Sequence, residues 1–136
     1  IPMKKNKILI VDDNKLNRQS LADIFRKAYQ IVESEDGKKA LEYLKKDKGL
    51  SVAAIILDLI MPVMDGFAFL EEFKKHSEYK YIPIVIATTE DNVENEKRCL
   101  EYGVWDFIPK SFLSRANKTD NVPIPFQKEQ TALFRV

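Results

Sequence analysis

The chain has 136 residues, 45% hydrophobic and 32% charged, which fits one domain with a real core rather than a disordered segment. A net charge of +1 excludes nucleic-acid binding driven by bulk electrostatics, and a single cysteine, Cys99, excludes an internal disulfide and suits a reducing cytoplasm. No apolar run reaches the length of a membrane span, and no signal-peptide pattern is visible.

Ile1-Pro2 precede Met3 and are read as a cloning remnant, with the domain spanning 3–136. "KILIV" (7–11) is a continuous apolar run, the pattern of a buried parallel strand. Asp13 or Asn14 can then cap a helix whose Leu16, Leu21, Ile24, Phe25 and Ala28 follow helical spacing. "QIVES" (30–34) is a weaker strand expected at an edge, where Glu33 and Glu35 tolerate water. "DGKKALEYLKK" (36–46) predicts a second helix with Ala40, Leu41 and Leu44 inward and its lysines solvated. "VAAIILD" (52–58) is the most apolar strand and belongs at the centre of the sheet.

"GFAFLEEFKKH" (66–76) predicts a third helix, with His76 at its end as a dipole partner. A fourth strand, "IPIVIATT" (82–89), precedes a fourth helix, "NVENEKRCLEYG" (92–103), which Gly103 closes. Cys99 on that helix reads as a small buried hydrophobe. "WDFIPK" (105–110) is the fifth strand, and Tyr102 and Trp105 beside it read first as packing residues. Then "SFLSRANKTDNVPI" (111–124) has turn-formers and no helical face, as an inserted loop would. "PFQKEQTALFRV" starts a fifth helix over 126–136, and its abrupt end suggests a fragment of a longer protein.

Strands alternating with helices predict an α/β fold, a parallel sheet with helices on both faces and ligands at the strands' carboxyl ends. Those ends carry Asp12-Asp13, Asp58, Thr88-Thr89 and Lys110. Three carboxylates on one rim would repel, and a hard divalent cation resolves the conflict. With the Lys110 ammonium and Thr88 hydroxyl, such a rim would cradle a tetrahedral oxyanion such as phosphoryl. Each piece has a plainer reading: the two acids as a helix-cap pair, the threonines as β-formers, Gly66 as a turn residue with conformational freedom. The shared rim is what favours the chemistry.

"ILIVDDN", "IILDLIMPVMDG", "IPIVIATTED" and "GVWDFIPK" resemble, in order and spacing, the receiver domain of two-component response regulators, over roughly 4–110. The resemblance implies a flavodoxin-like (βα)5 fold with strand order 2-1-3-4-5. It implies phosphoryl transfer from a sensor histidine kinase or phosphotransfer protein onto Asp58. Mg2+ would be held by Asp13, with Asp12, Asp58 and the Ile60 carbonyl. Thr88 would bond the phosphoryl oxygens, Lys110 would pair with Asp58 or its phosphate, and Phe107 would stand at an aromatic switch position or simply pack. Thr89 occupies a position that gates access to the acid, and Ile60, unlike Glu90, offers no side-chain hydrogen bond to a hydrolytic water. The resemblance further implies a cytoplasmic signalling switch rather than a metabolic enzyme, with its output domain outside this chain.

One departure stands out: Lys110 is followed by Ser111, where the family places proline, which puts the lysine's reach in question. That break, with the odd segment after it, keeps a phosphorylation-independent docking module as the alternative. A shortened fifth helix would expose sheet surface and favour a homodimer. A flavin-binding protein of the same fold is disfavoured, because two acids after the first strand would repel a flavin phosphate.

Overall fold

The runs at 7–11, 52–57 and 84–88 are apolar on both faces, so they pair in parallel with helices over each face, while the less apolar runs at 30–34 and 106–109 take the edges. The computed structural model describes residues 5–90 and 92–110; the expected insertion at 111–124, the helix at 126–136 and the Lys110–Ser111 bond lie outside the described residues. In chain order the elements are β1 (Lys7–Val11), α1 (Lys15–Phe25), β2 (Gln30–Ser34), α2 (Gly37–Asp47), β3 (Val52–Leu57) and α3 (Gly66–Phe73). A 3-10 turn (Ser77–Tyr79), β4 (Ile84–Thr88), α4 (Val93–Glu101) and β5 (Asp106–Pro109) follow.

The sheet order is β2-β1-β3-β4-β5 and every pairing is parallel, the flavodoxin-like doubly wound arrangement. Chain connections reverse direction between β1 and β3, so the crevice at their carboxyl ends is the place where such folds bind ligands. Alternation sorts the side chains. Leu9, Val11, Ile55, Leu57, Ile84, Ile86 and Phe107 face one core with Ala40, Leu44, Phe69, Phe73 and Cys99 from the helices. Ile8, Ile10, Ala54, Ile56, Val85, Ala87 and Ile108 face the other, with Leu21, Ala22 and Phe25 of α1. All six residues of β3 are buried, as its central place requires, while Glu33 and Glu35 beside β2 face outward.

The helix starts follow the expected chemistry: Asn14, Asp36, Asp65 and Asn92 each accept a hydrogen bond from the backbone N–H three residues on. Four expectations need correction. Leu16 is 72% exposed, because the inward stripe of α1 runs through Leu21, Ala22 and Phe25, and Ala28 lies beyond the helix and outside the core. Helix α3 stops at Phe73, since Lys75 and His76 donate three residues back, to Glu72 and Phe73, and tighten the chain. His76 therefore caps no α-helix; it lies 3.2 Å from Glu78 and stacks on Tyr79. Strands β4 and β5 are shorter than the apolar runs that announce them, beginning at Ile84 and Asp106.

Candidate functional site

The rim at the carboxyl ends of β1 and β3 is built by backbone first. Asp12, one residue past β1, donates its N–H to Ser34 O at 3.1 Å, and Asp58, one past β3, donates to Val11 O at 2.9 Å. Both carboxylates are thereby carried out of the sheet side by side, and both are buried. Asp12 Oδ1 accepts from Asn14 N–H at 2.9 Å, which turns the chain into α1. Asp12 Oδ2 is buried, and its one partner among the described residues is the Lys110 ammonium, an ion pair at the hydrogen-bond distance of 2.7 Å. The same ammonium stands 3.2 Å from Asp58 Oδ2, while Asp58 Oδ1 meets Ile60 N–H at a long 3.5 Å. Lys110 thus reaches both acids despite the serine that follows it.

Burial works against the Lys110 charge, but its contact with Asp12 and the charges of Asp58 and Asp12 outweigh that penalty and hold its pKa above the ordinary lysine value. A lone ammonium still leaves the rim with an excess of negative charge. Asp12, Asp13 and Asp58 each offer a carboxylate oxygen within 4.8 Å of the others, and Asp13 brings its group from an exposed position. Hard oxygen donors at this spacing, three carboxylates sharing one ammonium, fit a divalent cation such as Mg2+.

The remaining candidates are placed differently. Thr88 ends β4 with no exposure, and its Oγ1 accepts from Glu90 N–H at 3.1 Å; Thr89 beside it is exposed. Phe107 is packed in the core on the helix-α3 side. The Ile60 side chain is turned out to solvent at 57%. Tyr102 is half-buried and donates to Glu71 Oε2 at 2.9 Å, whereas Trp105 is exposed. Cys99 is fully buried, and burial pushes its thiol up to about 11 against a small opposing effect of the Arg98 charge.

Arg18 and Val63 had no counterpart in the sequence reading, and the role expected of Gly66 is corrected. Arg18 of α1 donates Nη1 to Asp12 O at 2.7 Å and Nε to Glu33 Oε1 at 3.0 Å, with only 14% of its side chain exposed. The signal was available: Arg18 stands three and four residues before Leu21 and Ala22, on the apolar stripe of α1, where an unpaired cation would be costly. Val63, in the loop after Asp58, has φ of 68° although it is β-branched. Gly66 is required for space rather than for freedom: a Cβ there would lie 2.5 Å from Asp58 O and 2.7 Å from Leu59 Cα. Its N–H donates to Leu59 O at 2.8 Å, which closes the loop against β3.

Compared with known proteins, residues 8–119 match the response regulator receiver domain family. The two-component response regulator ORR3 of Oryza sativa is 36% identical over 111 residues, covering 81% of this chain and 83% of that protein. The Mn2+-bound form of response regulator Rcp1 superimposes with a TM-score of 0.79 at 25% identity, covering 93% of this chain and 97% of that one. The phosphorylated cyanobacterial phytochrome response regulator RcpA gives 0.75 at 27% identity, covering 85% and 89%. Among the described residues, no helix is long and apolar enough to cross a membrane.

Proposed function

Because this chain belongs to the response regulator receiver family, we propose that it takes a phosphoryl group from a sensor histidine kinase or phosphotransfer protein onto Asp58 and relays the change to an output domain or partner. The observation that carries the reading is one ammonium, Lys110 Nζ, held between Asp12 Oδ2 and Asp58 Oδ2 on a rim of three acids. The relatives that are Mn2+-bound and phosphorylated support it.

An Asp58 carboxylate oxygen is a nucleophile without losing a proton. It bonds to phosphorus as the phosphohistidine P–N bond breaks; the leaving imidazole keeps the electron pair and takes up a proton. Asp12, Asp13, Asp58 and the Ile60 carbonyl would hold Mg2+, which when bound supplies positive charge between the carboxylates and the phosphoryl oxygens. Lys110 stays with the same region and pairs with the new charge, so the added oxygens do not meet the acids uncompensated. The Thr88 hydroxyl, now accepting from Glu90 N–H, would turn to donate to the phosphoryl group, and the β4–α4 connection with the face around Phe107 would follow. The domain, 3–136, is a cytoplasmic signalling module in this reading, assisting gain and loss of its own phosphoryl group.

The test is incubation with Mg2+ and either acetyl phosphate or beryllofluoride, followed by intact-mass measurement and two-dimensional amide NMR. The expected result is one phosphoryl adduct and shifted resonances around Thr88, both abolished in Asp58→Asn. No response to either reagent, nor to a cognate kinase, would sink the reading. Undiminished partner binding by Asp58→Asn without a phosphodonor would favour the docking-module alternative.

A further inference from the structure

We infer that Arg18 is a positioning residue for the cation site: it fixes the backbone of Asp12 so that one carboxylate oxygen, Oδ2, is left facing the rim. The inference rests on the receiver reading above. Asp12 is held at three points. Its N–H goes to Ser34 O, its Oδ1 accepts from Asn14 N–H, and its carbonyl accepts from Arg18 Nη1 at 2.7 Å. With those groups engaged, the remaining polar atom of a residue 1% exposed is Oδ2, whose one partner among the described residues is the Lys110 ammonium at 2.7 Å across the rim.

Arg18 is suited to this by its fork. While Nη1 binds the carbonyl, Nε is tied to Glu33 Oε1 at 3.0 Å, so the guanidinium plane is fixed from the edge strand. Glu33 also neutralises Arg18 locally, which lets a cation stand behind an acidic site without repelling the metal. The contact is to the carbonyl and not to the carboxylate, so it spends none of the negative charge the site needs. Outer partners that orient a ligand-bearing residue commonly change metal affinity by about ten- to a hundredfold.

The positional role and a bare charge effect have opposite signs. Removing a positive charge beside three acids strengthens Mg2+ binding if charge is all that matters. It weakens binding if Arg18 holds Asp12 in place. Calorimetric titration of the metal-free chain with MgCl2 at fixed ionic strength decides between them. Arg18→Met is expected to bind Mg2+ about tenfold more weakly than wild type, and Arg18→Lys, which keeps the charge but cannot make both contacts, to recover only part. Arg18→Lys is unchanged under a bare charge effect, so its weaker binding still decides the question if Arg18→Met fails to fold. Unchanged or tighter binding by Arg18→Met and unchanged binding by Arg18→Lys, with wild type binding normally, would overturn the role. Wild type that binds no Mg2+, with Asp13→Asn identical to it, would instead overturn the metal site itself.

Discussion

Replacing Gly66 by alanine tests whether the acceptor loop is as tightly seated as its geometry implies. The added Cβ would meet Asp58 O at 2.5 Å and Leu59 Cα at 2.7 Å, both backbone atoms that cannot swing aside. Either the loop or the first turn of α3 must retreat by roughly an ångström, with α3 already anchored by the Asp65 cap. Overpacking of this kind costs about 1–3 kcal/mol. Alanine's better helix propensity returns at most about 1 kcal/mol. From the middle of that range, about 2 kcal/mol, the net loss is about 1–2 kcal/mol, or a fall in Tm of about 3–10 °C for a domain of this size. Urea unfolding followed by far-UV circular dichroism reads it as a lower midpoint at unchanged slope. A midpoint equal to or above that of wild type would refute the argument, because it would mean that the loop has room to spare beneath Asp58.

Val63 offers the opposite sign in the same loop: it is 78% exposed at φ 68°, so Val63→Asn should raise stability by about 1 kcal/mol in the same unfolding assay. Lys110→Met leaves Asp12 and Asp58 without their cation and should cost about 3 kcal/mol in metal-free buffer. Because the folded pKa of Lys110 is raised, its contribution is fully present below the unfolded value and is lost only as pH rises through the folded one. The gap between wild type and Lys110→Met must therefore persist beyond pH 10, and its closure by pH 9 would contradict the ion-pair account. Cys99 titrates from 9.0 unfolded to about 11 folded, so the unfolded chain loses its proton first and stability falls by about 3 kcal/mol across that interval. Cys99→Ala should remove that alkaline slope in unfolding curves at pH 8, 10 and 11.

The strand ends were legible because a sheet covered on both faces needs unbroken apolar runs, and the first charged residue after each run marks the rim. Asp12, Asp13, Asp58 and Lys110 were visible on that ground before any geometry, and so was the order of elements that brings them together. Arg18 was not: its partner Glu33 is fifteen positions away on another element, and an arginine in a helix reads by default as solvated. The reason for Gly66 was hidden for a related cause, since a sequence shows which residue has no side chain but not what would collide with one. Helix α3 ended early through backbone bonds three residues back, which His76 and its neighbours do not announce in their side chains.

The Lys110 bridge also bears on how the molecule comes together. It joins the last described strand to acids that follow the first and third, and its contact with Asp58 alone spans 52 positions of chain. Contacts of such separation close late, since the intervening loop entropy must be overcome before they reward it. In a chain where β5 docks last, the three acids gather before Lys110 reaches them, and their mutual repulsion works against that step. A chain with β1 to β4 docked and β5 still free would have most of its core and an uncompensated rim. Divalent salt should therefore change the folding rate about equally in wild type and in Lys110→Met, while the substitution itself shows mainly as faster unfolding.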